Sequence, residues 1–307
     1  MKNSKSLIYG SVILAMIFWS LSFVWYKVVY LYFTPISVII LRLVISSLFL
    51  LFISIILNKL QKIKGGDFRM FLLLAFLEPF MYFMGESFGV NLVSSTVAAV
   101  IISTIPLFCP IAAYFLQKES LTIMNFIGIL VSLCGVVLMV LNNQFKITVS
   151  IPGVFLLFLA VFSAVFYSVV SMRLTAKYNV LTIITYQNVL GLLYFLPLLI
   201  IFELDNLRIA EFTIKTCTPL IELAVFASSL AFICFTYSLK HLGISKANVF
   251  VNLIPVFTAI FAYILIKEEL SVQKIIGIFI AVCGLFISQL KFSYPAFLFS
   301  NNKQRLS

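Results

Sequence analysis

The sequence predicts an all-α polytopic membrane protein, with ten transmembrane helices in two inverted five-helix repeats. Three observations predict it: a composition from which no water-soluble surface can be built, ten apolar runs of spanning length, and an internal repeat containing an odd number of runs. Of 307 residues, 63% are hydrophobic and 10% charged, and the mean hydropathy is +1.18. A soluble domain carries about 25% charged residues. With so little polar surface, and with 33 Phe, the solvent of this chain is a bilayer.

A spanning helix takes roughly 20 apolar residues. Breaks at charged, Asn, Gly and Pro clusters place the runs at 7–27, 35–57, 69–90, 94–116, 122–141, 152–173, 180–202, 218–239, 246–266 and 272–290. The longest connection, 203–217, has no room for a soluble catalytic domain. The first run follows Lys2 and Lys5 as a signal peptide would, but it is too long and lacks a small-x-small cleavage site, so it reads as an uncleaved span. The net charge of +11 sits between the apolar runs, where it reports topology rather than nucleic-acid binding. Fourteen of the 21 Lys and Arg fall on one side and six on the other, with Arg42 inside a span. By the positive-inside rule both termini are expected in the cytoplasm, as an even number of spans requires.

Shifting the chain by 149 residues aligns 98–135 with 247–284, and 17 of those 38 positions are identical. The landmarks are Pro106/Pro255, Tyr114/Tyr263, Lys118-Glu119/Lys267-Glu268, Gly128/Gly277 and Cys134-Gly135/Cys283-Gly284. Residues 1–145 and 146–290 therefore read as two copies of one five-span unit, followed by a basic, Phe-rich tail, 291–307, expected on the cytoplasmic membrane surface. Because five is odd, the second copy enters the membrane inverted. Inverted repeats are the architecture of secondary transporters, whose two halves expose a central site to each face in turn.

The two versions of the repeat read PLFCPIAAYFLQKESLTIMNFIGILVSLCG and PVFTAIFAYILIKEELSVQKIIGIFIAVCG. A Pro in the fourth helix, a K-E-x-L turn, then G-I and C-G resemble the EamA-type drug/metabolite transporters. The resemblance covers residues 7–290 and includes the aromatic segment at Trp19 and the Arg42 of ILRLV. Ser20 departs from it, since the family typically has Gly after this Trp. The resemblance implies a ten-helix bundle with a central cavity lined by helices 1, 3, 4, 6, 8 and 9, with helices 5 and 10 at the periphery. It also implies movement of small molecules, often export of amino acids, related metabolites or toxic compounds.

Ionisable groups inside a span cost about 2.5–3.5 kcal/mol on insertion scales, so each is a functional candidate. Arg42, Glu78 and Glu86 stand out, with Glu222 a weaker fourth. Glu78 and Glu86 are two turns and ~80° apart on the third span, and Tyr82, Gly85 and Gly89 share that face. Arg42, roughly 10 Å below the outer boundary, is expected to reach Glu86. Burial disfavours a charged carboxylate, so Glu78 and Glu86 are the candidate proton-coupling groups. Either carboxylate paired with Arg42 could equally serve packing alone.

Pro79, Pro106, Pro110 and Pro255 are expected to break or kink their helices, at corresponding depths in the fourth and ninth spans. Helical spacing adds Trp19, Ser22 and Tyr26 in the first span, Ser163 and Tyr167 in the sixth, Ser228, Phe232 and Thr236 in the eighth, and Asn248 and Asn252 in the ninth as candidate substrate contacts. Aromatic rings with a few polar groups suit an amphipathic organic solute. Gln187 and Asn188 are expected to hydrogen-bond between helices. His241 and the two Lys-Glu turns read as solvated groups at span ends.

No P-loop, HExxH or GxSxG is present, the five Cys form no CxxC pair, and a Ser-His-Asp triad would have to use the single His241, with Asp67 and Asp205 near opposite faces. The chain is therefore expected to be no enzyme and to need neither metal nor cofactor. The expected function is secondary transport, as an exporter, of small organic metabolites such as amino acids or related amphipathic compounds across the inner membrane, with or without proton coupling. The alternatives are a nucleotide-sugar-like or facilitative carrier of the same superfamily and a non-transporting polytopic receptor. Expected partners are the solute, the bilayer and protons, with no nucleic acid; the chain is expected to be a monomer or homodimer.

Overall fold

The computed structural model describes residues 5–117, 122–140, 149–204 and 212–290. The Lys118-Glu119 turn and the tail from Lys291 lie outside these residues, as do the cations Lys146 and Arg208. Among the described residues, eight helical segments are long and apolar enough to cross a membrane: α1 Lys5–Val29, α2 Pro35–Ile56, α3 Gly65–Leu92, α4 Ser95–Ala112, α6 Ile151–Thr175, α7 Val180–Glu203, α8 Ile214–Leu242 and α9 Lys246–Ile266. Two shorter apolar helices, α5 Ile123–Met139 and α10 Val272–Ser288, complete the bundle. The boundaries lie within four residues of those expected from sequence, α4 continuing helically to Gln117.

Helix starts follow the side chains that can cap them. Thr34 ahead of Pro35, Ser94, Ser150 ahead of Ile151-Pro152, Asn179 and Ser271 each hold an extended backbone and accept a hydrogen bond from a backbone N–H three residues on. Such caps satisfy donors that a bilayer cannot solvate.

Close packing rests on small residues. A Cβ at Gly85 would lie 2.8 Å from Ala160 N, and one at Gly89 2.6 Å from Leu157 Cγ, so these two glycines seat α3 against α6. Sharing a helix face with Tyr82 and the two carboxylates, they read from sequence as a stripe suited to a cavity wall. Instead they serve helix contact, because a cavity wall has no need of a missing side chain and a backbone crossing does. α5 and α10 run antiparallel and meet through glycines from both sides: Gly128 against Ser288 and Gly284, Gly135 against Ala281 and Gly277, and Gly284 against Ser132. Ser20 does not loosen the first helix. It is fully buried, its hydroxyl donates to Met16 O at 2.7 Å and Ile254 O at 3.3 Å, and Thr258 returns a bond to Ser20 O at 3.3 Å. The α1–α9 contact is thus hydrogen-bonded.

Breaks occur where prolines were expected, with one exception. In α3 the Glu78 backbone is extended (φ −145°, ψ 119°) beside Pro79, within a π-helical stretch Phe76–Met81. The Pro79 ring sits over Gly191 of α7, where any Cβ would collide with it. α4 turns at Ser103 and Thr104 and resumes at Ile105, just before Pro106; α9 passes through a 3₁₀ turn, Phe250–Leu253, just before Pro255. Pro110 makes no break and lies inside the helix Ile105–Gln117. α7 and α8 carry further π-helical stretches, Leu199–Glu203 and Leu223–Leu230.

Gly85→Leu is expected to destabilise the protein by about 1–3 kcal/mol through overpacking against α6. Gly66→Ala, where a Cβ meets nothing within 4 Å, is expected to leave the unfolding midpoint unmoved. Thermal unfolding of both variants in detergent, followed by size-exclusion chromatography, checks the pair.

Candidate functional site

A cleft of about 480 Å³, its open side included, lies between α1, α3, α4, α6, α8 and α9. Its wall carries Trp19 and Phe23 from α1, Glu78, Tyr82 and Glu86 from α3, Ile102 and Ile105 from α4, Ala164, Tyr167 and Ser168 from α6, Phe235 from α8, and Asn248, Val251 and Ile254 from α9. These are the six helices that the family resemblance implies, and α5 and α10 contribute nothing to the lining.

Beside the cleft lies a buried charged cluster. Arg42 and Glu86 are 2% and 5% exposed, and Arg42 Nη1 lies 3.7 Å from Glu86 Oε2. Arg42 Nε donates to Ser228 Oγ at 2.7 Å, and Nη1 donates to the Tyr26 hydroxyl. Tyr26 in turn donates to Glu86 Oε2 at 2.9 Å, and Tyr82 to Oε1 at 3.0 Å. The guanidinium covers the Phe83 ring at 4.0 Å from its centroid. Both Glu86 oxygens are therefore occupied, and four helices, α1, α2, α3 and α8, meet at one charge pair.

Glu78 is placed differently. It is 4% exposed and faces the cleft, and its carboxylate has no hydrogen bond or ion pair among the described residues. The Leu77 carbonyl, one residue before the break, accepts both the Tyr82 N–H of the π-helical stretch and, at 2.6 Å, the Ser163 hydroxyl. Ser163 thus ties α6 to the break rather than facing the cleft.

Of the other residues expected from sequence, Trp19, Tyr82, Tyr167 and Asn248 line the cleft, while Tyr26 and Arg42 belong to the charged cluster behind it. Ser22 bonds Trp19 O at 2.7 Å. Phe232 packs on Trp19 and Tyr167, with centroids at 5.2 and 6.2 Å, and Thr236 is buried. Asn252 is 2% exposed, and neither amide atom has a hydrogen-bond partner among the described residues. For Asn252 and Thr236 the displacement follows a change of helical period. A regular α-helix puts Asn248 and Asn252 on one face, but the 3₁₀ turn at Phe250–Leu253 has about 3 residues per turn and brings Asn248, Val251 and Ile254 into line instead. The π-helical stretch of α8 likewise precedes the exchange of Thr236 for Phe235. Phe23 and Ser168 carry a signal that could have found them, being one turn from Trp19 and adjacent to Tyr167.

Gln187 and Asn188 hydrogen-bond between helices, accepting from Tyr167 OH at 3.0 Å and Ser46 Oγ at 3.1 Å. His241 is exposed, with Nδ1 2.7 Å from Tyr237 O. Glu222 is half-buried. Glu268 corrects the reading of its turn as merely solvated: its carboxylate accepts from Ser95 N at 3.1 Å and Thr96 N at 3.4 Å, so the C-terminus of α9 caps the N-terminus of α4. At the same end of the bundle, Lys27 Nζ donates to Val90 O at 2.6 Å in the last turn of α3. The opposite end is joined by Lys177 Nζ and Tyr178 OH, which donate to Asp67 at 2.6 and 3.0 Å. Among the described residues no group of three His, Cys, Asp or Glu could hold a metal.

Comparison with known proteins gives one consistent result. The EamA-like transporter family matches residues 6–141 and again 151–290. An uncharacterized transporter of Archaeoglobus fulgidus is 27% identical over 274 residues, covering 89% of this chain and 95% of its own. The uncharacterized transporter YetK of Bacillus subtilis is 25% identical over 259 residues, covering 83% and 78%. A crystal structure at 15% identity superposes with a TM-score of 0.71 over 94% of this chain and 99% of its own, a likeness of fold.

Removing one member of a buried charge pair typically costs about 3–5 kcal/mol, because the other is left uncompensated. Arg42→Met is expected to lose that much, and Arg42→Met combined with Glu86→Gln to recover most of it. A double-mutant cycle on unfolding midpoints reads the coupling; additive losses would show that the two side chains act separately.

Proposed function

Since the chain belongs to the EamA-like transporter family, and is a polytopic membrane protein with a six-helix cleft, we propose that it carries small organic metabolites across the inner membrane by alternating access. The observation that carries this reading is the unpaired, buried Glu78 carboxylate facing that cleft at the break in α3. A group so costly to bury is retained where a solute or a proton can meet it. The double family match at 6–141 and 151–290, and the antiparallel glycine contact of α5 with α10, support two five-helix units of inverted topology. Export of amphipathic compounds, with Glu78 as the proton-coupling carboxylate, is the form we favour. Glu86 is less suited to that task, since Arg42, Tyr26 and Tyr82 already compensate it.

The cleft lining runs from Glu86 to Asn248, near the start of α9. The end of the bundle where α4 starts is joined by Glu268 and Lys27. We read this arrangement as the conformation open toward the end at which α1 and α9 start. With the Lys and Arg distribution, that end is the cytoplasmic one, both termini lying there. Glu268 and Lys27 then form the closed outer gate.

Two experiments test this. Uptake of a panel of amino acids, amines and other metabolites into proteoliposomes, with and without a pH gradient, is expected to show gradient-driven movement of one class that Glu78→Gln abolishes. Uptake indifferent to both the gradient and Glu78 would make the protein a facilitator; no uptake of any solute would count against transport. Glu268→Ala is expected to increase labelling of Ile102→Cys, in a background without other cysteines, by a membrane-impermeant maleimide added from outside. Unchanged labelling of a folded variant would remove Glu268 from the gate.

A further inference from the structure

The cleft wall differs sharply in what it accepts and what it donates. Trp19 Nε1 is committed to Ala227 O at 3.3 Å, Tyr82 OH to Glu86, Tyr167 OH to Gln187 and Ser168 Oγ to Ala164 O at 3.0 Å. Asn248 spends one amide hydrogen on Ile244 O at 2.9 Å. Among the described lining residues that leaves one uncommitted side-chain N–H, the second hydrogen of Asn248. Among the described residues no Lys, Arg or His lines the cleft, and the nearby Arg42 is engaged by Glu86, Tyr26 and Ser228. The acceptors left over are the Asn248 and Ser168 oxygens and the whole carboxylate of Glu78, 4% exposed and unpartnered.

The rings around these acceptors have their polar atoms turned into protein. Trp19 is pinned by its indole N–H and packs against Phe235 at 5.0 Å between centroids. What Trp19, Phe23, Tyr82, Tyr167 and Phe235 offer a ligand is therefore ring surface. Ring faces and a carboxylate attract a cation and an apolar body together. With Glu78 ionised, a ligand carboxylate would face it across a medium of low dielectric with about one donor to receive it, and unpaired buried charge is strongly penalised.

From this donor–acceptor imbalance we propose that the cleft takes organic monocations, specifically primary arylalkylamines, and discriminates against amino acids and carboxylic acids of the same skeleton. The ammonium group donates to Glu78 and Asn248 Oδ1, and the aryl group lies among the rings near Trp19. This inference rests on the transport reading only for the cleft being a solute site, and it narrows the solute class within that reading.

Four molecules that share one skeleton test it: phenethylamine, phenylalanine, phenylacetate and 2-phenylethanol. Binding to the full-length protein in nanodiscs, measured by calorimetry, is expected to be at least about tenfold tighter for phenethylamine than for each of the others. Glu78→Gln is expected to bring the amine down to the level of the alcohol, and Glu78→Asp, which keeps the charge, to retain the preference. Monodisperse elution of each variant shows that it is folded. Phenylalanine or phenylacetate binding as tightly as the amine, an amine preference surviving in Glu78→Gln, or no binding of phenethylamine would each overturn the inference. Movement of some other class in the proteoliposome panel, with no binding of phenethylamine, would overturn the inference and leave transport standing. Binding of the amine with no movement of any solute would do the reverse.

Discussion

A guanidinium in a membrane interior has to be neutralised by the protein itself, and much of the bundle is arranged around doing so for Arg42. Its partners come from three other helices: Tyr26 of α1, Phe83 and Glu86 of α3, and Ser228 of α8. Tyr26 both receives from Arg42 and donates to Glu86, which makes it a bridge between the two charges. Hydrocarbon provides no hydrophobic driving force between helices, so a charge pair that none of these helices can satisfy alone gives them a reason to converge. Outside it, Ser46 continues the same contact by bonding Ser229 at 2.7 Å and Asn188 at 3.1 Å, joining α2, α7 and α8.

Holding the bundle there leaves the adjoining cleft free to be irregular. Non-helical backbone is tolerated at membrane depth only where protein or a cavity surrounds it. The break at Glu78 meets that condition from three directions: the Ser163 hydroxyl donates to the Leu77 carbonyl, the Pro79 ring rests over Gly191, and the carboxylate faces the cleft. Gly191 is needed because a proline at a break projects sideways, and only a residue without a Cβ lets α7 stay close to it. The breaks in α4 and α9 similarly precede Pro106 and Pro255, and their neighbours Ile102, Ile105, Val251 and Ile254 line the cleft.

The helices and their approximate ends were legible because apolar run length and Ser/Thr/Asn caps act locally. Arg42 and Glu86 were legible as partners because two charges in apolar spans at similar depth have few alternatives. Face assignment failed where helical periodicity itself changed. Asn252 and Thr236 fall on the cleft face of an ideal helix, but a 3₁₀ turn and a π-helical stretch alter the angle per residue, and sequence gives no local mark of either beyond the nearby Pro255. Glycines were read from their position relative to Glu78, whereas Gly85 and Gly89 are set by the approach of α6, a tertiary contact that no feature of α3 announces. Glu268 was misread for a similar reason: its partners, the backbone N–H groups of Ser95 and Thr96, are 173 and 172 residues away in the chain.

The two carboxylates of α3 show how one helix can hold the same chemical group for two purposes. Both are nearly as buried as each other, at 4% and 5% exposed, so burial alone does not separate them. Partners do. Glu86 has each oxygen bonded and a cation beside it, and protonating it would forfeit those bonds and strand Arg42. Its charge is therefore bound up with the fold. Glu78 has no hydrogen bond or ion pair to forfeit among the described residues, so a proton or a ligand can answer its charge without breaking one. Glu78 sits at the break between Leu77 and Pro79, whereas Glu86, also in the cleft wall, lies on continuous helix and is bonded to Tyr26 of α1 and paired with Arg42 of α2. A solute that meets Glu78 consequently acts on the one ionisable group in the cleft whose state the bundle leaves open, at the point where α3 is already bent.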